Sequence, residues 1–413
     1  MRGRAALFIR VSAVLIVTQL VLPELLAQSN VRARDIGVPL SGTPGPLNAI
    51  TDVQGVRVGH ATIIRGDGPR TIGLGPVRTG VTAVLPRSAD AFDPVFAAWF
   101  TMNGNGEMTG TTWVEESGFL EGPVMITNTH SVGVVRDAVI DWMVKRQRQF
   151  AWALPVVAET YDGVLNDING FHVTAEHAFA ALDGATDGPV AEGNVGGGTG
   201  MVCHRFKGGI GTASRIVQVG EEQYTVGVLV QCNYGSRDLL RVAGVPVGAE
   251  ITDLMPCHVA APSESAPFRF PMCDADDAPP PGNGDPGELG SIIIVAATDA
   301  PLLPHQLKRM IKRAGFGVAK MGGIASNGSG DIFIAFSTAN AGAGGGQGAV
   351  DVTMLRNSQM NGIFLAAVEA TEEAILNAMV AAKTMTGADD LRVFALPHER
   401  LRDVLRRYGR LLP

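Results

Sequence analysis

The chain has 413 residues, 46% of them hydrophobic and 18% charged, so it can bury a large core as one big domain or two ordinary ones. Its formal net charge is -7 and no block of Lys and Arg is present, which excludes nucleic acid as a partner, because neutralising phosphates needs clustered cations.

At the N-terminus Arg2, Arg4 and Arg10 precede the apolar run Val11 to Leu22, and Leu25-Leu26-Ala27 follows. A charged region, an apolar region and a small residue before a cleavage point are the parts of a secretory signal over residues 1–27, with a mature chain from about Gln28. The apolar stretch is short for a bilayer span, which favours cleavage over a retained anchor, and a periplasmic or secreted protein is expected. Export permits disulfides. Cys257 and Cys273 bracket the first part of a Pro-rich loop and are placed to staple it, whereas Cys203 and Cys232, in apolar surroundings, read as small core residues. Cys203-His204 is no metal-ligating pattern, and no His pair at helical spacing accompanies a Glu, so neither a metal nor a cofactor is expected.

Residues 35–62 begin with turns (Gly42-Thr43-Pro44-Gly45-Pro46) and enter a first strand through Val53, Val56 and Val58; Val81 to Leu85 is a second, ended by Pro86. Residues 103–118, rich in Gly, Thr and Asn and containing Trp113, Glu115 and Glu116, read as a loop that could line a site. Gly122 to His130 reads as a strand entering a helix that runs to Gln149, with Ser131 as N-cap and Val132, Val135, Ala138, Val139, Trp142 and Met143 on its apolar face. Pro155 to Gly163 is a buried strand ending in Glu159 and Tyr161, where a strand-end carboxylate serves either to bind an amine or as a solvated loop acid, and a helix follows over 174–182. The Gly-rich stretch 193–200 opens no helix, which suits close backbone approach better than phosphate binding. Strands are expected over 208–219 and 224–233, the second ending in Asn233, whose side-chain amide is the kind of donor an oxyanion hole uses. Helices are expected over 301–315, 359–383 and 398–408, and Gly322 to Asp331 is a Gly-rich loop leading into a strand over 332–337.

The most informative stretch is the junction Gly290-Ser291. Residues 262–287 are mostly Pro, Gly, Ala, Ser and Asp with little to bury, and Ser291-Ile292-Ile293-Ile294-Val295 then has the β-branched density of a core strand. If the Gly290-Ser291 peptide is cut, Ser291 becomes an N-terminal residue with a hydroxyl and an α-amine on one rigid element. That amine, with an ordinary pKa of about 7.7 to 8.0, is a base near neutral pH. Glycine before the bond would admit a strained backbone there.

Six segments in order resemble the P1 family of autoprocessing serine aminopeptidases, which includes the L-aminopeptidase/D-amidase/esterase and the β-peptidyl aminopeptidases. They are Asn48-Ala49-Ile50-Thr51-Asp52-Val53, Thr127-Asn128-Thr129-His130-Ser131-Val132-Gly133, Glu159-Thr160-Tyr161-Asp162-Gly163, Val230-Gln231-Cys232-Asn233-Tyr234-Gly235, Gly290-Ser291 and Asn327-Gly328-Ser329-Gly330-Asp331. The resemblance implies an α/β protein built as a four-layer α/β/β/α sandwich, of the N-terminal-nucleophile-like type shared with ornithine acetyltransferase. It implies self-cleavage into a larger chain, 28–290, and a smaller one, 291–413, within one structural domain, and a homotetramer of cleaved protomers. Ser291 then resembles the nucleophile and Asn233 the oxyanion-hole donor. Ser329 and Asp331 resemble the pair that orients and activates the nucleophile, and Glu159 and Tyr161 match positions near the substrate amine. Some members carry Glu where Asp331 stands, one methylene longer, and the loop between Asn233 and Ser291 is longer than the family pattern. The implied substrates are small peptides and aminoacyl amides or esters, with L-α, D and β residues all open. An acyltransferase on the same fold and a non-enzymatic periplasmic binding protein are the competing readings.

Overall fold

The computed structural model describes residues 31–87, 92–146, 152–264, 266–274 and 290–412. The signal segment, the end of the helix expected to reach Gln149 and most of the Pro-rich loop lie outside the described residues.

Two sheets carry the architecture. One has four strands in the order β1 (Arg57–Arg65), β2 (Val77–Leu85), β5 (Val124–Asn128) and β6 (Val156–Thr160). The other has six, in the order β4 (Phe119–Leu120), β3 (Val95–Gly104), β13 (Gly330–Ser337), β12 (Ser291–Thr298), β10 (Glu222–Asn233) and β9 (Gly209–Val219). The two central strands of the larger sheet therefore follow residue 290, and those on either side of them precede it.

Strand periodicity shows how the layers stack. Successive side chains point to opposite faces. In β12, Ile292, Ile294 and Ala296 join one core with helices α5 (Pro304–Lys320) and α6 (Asn361–Val380). Ile293, Val295 and Ala297 join a second core, shared with Val58, Val84, Val124 and Val156 of the smaller sheet. A third core lies between that sheet and helices α2 (Val132–Arg146) and α3 (Ala175–Asp183). Three apolar interfaces between four layers make the α/β/β/α sandwich.

Shorter elements complete the chain. α1 (Thr111–Ser117) follows β3, a hairpin pairs β7 (Val202–Cys203) with β8 (Phe206–Lys207), and α4 (Val247–Glu250) follows β10. A small sheet orders β11 (Cys257–His258), β15 (Leu391–Val393) and β14 (Met385–Thr386), and α7 (His398–Arg407) closes the chain.

Several expectations needed correction. Val53 and Val56 follow a short 3-10 turn, Ile50–Asp52, and the first strand starts only at Arg57. Residues 103–118 are not one loop: they hold the end of β3 and all of α1, and Glu115 turns outward to Lys308 (2.6 Å). Ser131 sits inside a 3-10 turn whose cap is Asn128, its side chain accepting the His130 N–H (3.1 Å). Cys203 and Cys232 are joined in a disulfide across the β7–β10 contact, and Cys257 and Cys273 in another.

One buried ion cluster ties the layers to the start of the described chain. On α6, Glu373 accepts Arg215 of β9 (2.7 Å), Arg34 (2.8 Å) and the Asn48 amide (2.6 Å). Burial alone would push the Glu373 carboxyl up, but these partners hold it below its ordinary value. Glu373→Gln leaves the buried Arg215, among the described residues, with Glu369 at 3.6 Å as its one carboxylate, beside the backbone carbonyls it already bonds. We expect it to lower unfolding free energy by about 3 kcal/mol, read as a lower denaturant midpoint at unchanged slope.

Candidate active site

The site forms where three strands of the larger sheet meet. Ser291 begins β12, opposite Asn233 of antiparallel β10 and beside Gly330 of parallel β13. Two residues before Ile293, it belongs to the face directed between the sheets. The Gly330 N–H donates to Ser291 Oγ (3.1 Å), which fixes the hydroxyl oxygen and leaves its proton to be given elsewhere.

Asn233 is held at both ends of its amide. Its Oδ1 accepts the Val202 N–H (2.7 Å) and its Nδ2 donates to the Tyr161 carbonyl (2.9 Å), leaving one Nδ2 hydrogen for another acceptor. Below it, Gln231 spans the two sheets, donating to the Thr127 carbonyl (3.1 Å) and the Thr160 hydroxyl (2.7 Å).

A Cβ on Gly290 would collide with the Asn233 carbonyl, so the close approach of two strands by itself requires glycine here. Gly330 is constrained in the same way, against the carbonyl of Asn105.

Ser329 and Asp331 flank Gly330 and are both buried, with Ser329 Oγ donating to Asp331 Oδ1 (2.6 Å). Across the site, Glu159 is 3% exposed and accepts the Glu107 N–H (2.9 Å) and the Thr129 hydroxyl. Burial pushes its carboxyl above the usual range, and these hydrogen bonds pull it partway back. A Cβ on Gly106 would lie 3.1 Å from Glu159 Oε1 and 3.3 Å from Gly330 Cα, so a single glycine separates the carboxylate from the segment holding Ser291. Tyr161 lends its carbonyl to Asn233, its ring meets Phe268 edge-on at 6.3 Å, and burial raises its phenol. Phe268 and Phe270, from the segment between Cys257 and Cys273, line an apolar cleft with Val164, Val202 and Tyr234.

All six residues singled out in the sequence thus lie in one hydrogen-bonded or directly adjoining set. A hydroxyl at a strand start, an amide with a spare hydrogen and buried acids are the parts of an acyl-transfer site. His130 stacks on Phe171, with ring centroids 6.1 Å apart, and lies near enough to Glu159 to act on its carboxyl.

Comparison with known proteins bears directly on this constellation. A model of peptidase family S58 matches residues 48–393. The chain belongs to peptidase family S58. It is 55% identical to the β-peptidyl aminopeptidase BapA of Sphingosinicella microcystinivorans over 92% of this chain and 93% of that one. Among solved structures it resembles the L-aminopeptidase D-Ala-esterase/amidase of Ochrobactrum anthropi, a prototype serine aminopeptidase with a variant of the N-terminal-nucleophile hydrolase fold. There the TM-score is 0.81 at 48% identity, covering 92% of this chain and 99% of that one. A Burkholderia β-aminopeptidase gives 0.78 at 45% identity, with the same coverages. The chain is accordingly a peptide-bond hydrolase of the aminopeptidase type.

The sequence left several parts of this S58 site unnoticed. Asn103 donates to the carbonyls of Ser326 (2.7 Å) and Ser329, and Asn105 to that of Gly328 (2.9 Å), so the end of β3 shapes the loop before Gly330. The alternation Asn103-Gly104-Asn105-Gly106 was the available signal: two amides spaced by glycines, at a strand end, suit the bracing of another backbone. Thr129, inside a matched segment, holds Glu159 and was likewise passed over.

Proposed function

We propose that the chain cuts its own Gly290-Ser291 bond and then removes N-terminal residues from small peptides and aminoacyl amides or esters, with Ser291 as nucleophile in both reactions. The observation that carries this reading is the register: the first residue of β12 stands between Asn233 and Gly330, with its hydroxyl oxygen already held.

In the first reaction Ser291 Oγ gives up its proton and adds to the Gly290 carbonyl, the C–N bond breaks so that the Ser291 nitrogen leaves as an amine carrying a proton, and water hydrolyses the resulting ester to the Gly290 carboxylate and the free Ser291 hydroxyl. In the second, Oγ adds to the carbonyl of a substrate's N-terminal residue. The leaving amine departs with a proton, and water releases the acyl group. Both additions generate an oxyanion, for which the spare Asn233 hydrogen is the donor. The buried Ser329–Asp331 pair orients the nucleophile through Gly330. Glu159 faces the substrate's protonated amine, with Tyr161 bounding the same pocket.

Two named relatives suggest that β-amino acid residues at the N-terminus are accepted, and the apolar cleft beside Tyr161 suits their side chains. The basic, then apolar, leader supports export to the periplasm or medium, and the family resemblance supports a tetramer of cleaved protomers. Light scattering of the purified protein tests the tetramer.

The test of the main reading is intact mass and N-terminal sequencing of purified protein, then a panel of L-α, D-α and β-aminoacyl amides. A smaller fragment beginning Ser-Ile-Ile-Ile, together with turnover of at least one amide class, supports the reading. An intact chain without turnover sinks it.

Glu159 gives a further expectation. Its role requires the ionised carboxylate, and its pKa is raised, so amine binding should fail earlier on acidification than for an ordinary carboxyl. KM should rise as pH falls through that raised value while the substrate amine stays protonated. Glu159→Gln should raise KM by roughly tenfold to a hundredfold, the worth of a hydrogen bond to a charged group, and remove this acid limb. A KM profile that is the same in both proteins would remove Glu159 from amine binding.

A further inference from the structure

Lys207, on β8, is fully buried, and burial pushes its ammonium down to about 7. No carboxylate among the described residues pairs with it. An ammonium without a counter-ion is an unfavourable thing to place in a core, and a hydrocarbon side chain would fill the space at lower cost. Its neighbours suggest a purpose. Nζ donates to the carbonyls of Met201 (2.7 Å) and Gly208 (2.9 Å), with Gly198 at 3.4 Å.

The Met201 carbonyl and the Val202 N–H are the two ends of one peptide group, and that N–H donates to Asn233 Oδ1 at 2.7 Å. A continuous series thus runs from the Lys207 ammonium through the Met201-Val202 peptide to the Asn233 amide, and ends on the Nδ2 hydrogen left for an oxyanion. Every donor in it points the same way, so each bond polarises the next. The frame around it is tight. A Cβ on Gly198 would collide with backbone at Gly209 and Ile210, and one on Gly208 with the Cys232 carbonyl. The Cys203–Cys232 disulfide joins the residue after Val202 to the residue before Asn233.

We propose that Lys207 is a positioning residue of the oxyanion hole, fixing and polarising the Asn233 amide through the Met201-Val202 peptide so that it donates more strongly to the tetrahedral intermediate. The inference rests on Asn233 being the oxyanion donor.

The test compares wild type, Lys207→Met, Lys207→Gln and Asn233→Ala as purified full chains, following self-cleavage and then kcat and KM of the cleaved protein on one aminoacyl amide. For Lys207→Met we expect self-cleavage and kcat to fall together by about tenfold, with KM within twofold. Lys207→Gln, which keeps an amide donor for the Met201 carbonyl without the charge, should recover part of the loss. Wild-type kcat in Lys207→Met overturns the inference, as does a loss carried mainly by KM. Failure of both Lys207 variants to fold, judged by circular dichroism, also overturns it, by assigning the side chain to the core alone. If Asn233→Ala itself keeps wild-type rates, the assignment of Asn233 fails first; an impaired Asn233→Ala beside an unimpaired Lys207→Met rejects the role of Lys207 alone.

Discussion

Ser291→Ala should give one uncut chain on a denaturing gel and turnover lower by on the order of 10⁴-fold or more, the scale of nucleophile removal in other acyl-transfer enzymes. The variant should still fold. Among the described residues the Ser291 hydroxyl makes one hydrogen bond, accepted from the Gly330 N–H, and its loss is worth about 1 kcal/mol, far less than a domain of this size needs to unfold. An uncut, inactive protein with a near-normal melting temperature therefore isolates the chemistry of one oxygen atom. Cleavage at the same bond in Ser291→Ala would mean that another protease makes the cut, and the self-processing account would fall.

Asn233→Ala should have the next largest effect, a fall in kcat of about 10² to 10³-fold with KM little changed, because an oxyanion donor acts in the transition state and not on bound substrate. It also strands the Val202 N–H and the Tyr161 carbonyl, so a stability loss of about 1 to 3 kcal/mol is expected alongside. Asn233→Asp separates the two effects. Aspartate keeps an acceptor for Val202 but puts a negative charge where the oxyanion would form. It should restore part of the stability and leave kcat as low as in the alanine variant or lower. If Asn233→Asp recovers activity, the side chain serves only as a brace.

Much of this fold was legible because its strands are buried on both faces. Ile292 to Ala297 and Val226 to Val230 read as runs without a polar side chain, which is what strands between two layers require. Strand β3 opens on a short apolar run, Val95 to Phe100, which by itself does not tell a strand from a buried helix segment, and from Trp99 to Asn103 its residues are only half-buried. The Cys203–Cys232 pairing was hidden because it depends on a hairpin folding back against β10, a contact 29 residues distant in sequence. For the site, local pattern located Ser291, suggested an amide at Asn233 and offered Glu159, at a strand end, as a carboxylate for an amine, but the roles of Ser329, Asp331 and Tyr161 came from family resemblance alone. Local sequence cannot show that a Ser-Gly-Asp loop and a Glu-x-Tyr strand end meet across two sheets. That meeting is arranged by long-range packing, and Gly106, too small to keep Glu159 and Gly330 apart, is one of its few local traces.

The strand order of the larger sheet bears on what a cut at residue 290 does to the molecule. Strands β12 and β13 sit in the middle, with β3 on one side and β10 on the other, so the downstream piece is clasped by the upstream piece along both edges. Once severed, neither piece can leave without dismantling the larger sheet, which neither can form by itself. Scission here would not produce exchangeable subunits. It would work as a one-way latch: the amine at Ser291 comes into being only in a molecule whose sheet has already closed, so within a cell peptidase activity would certify that the polypeptide was assembled correctly before it was allowed to act on anything else.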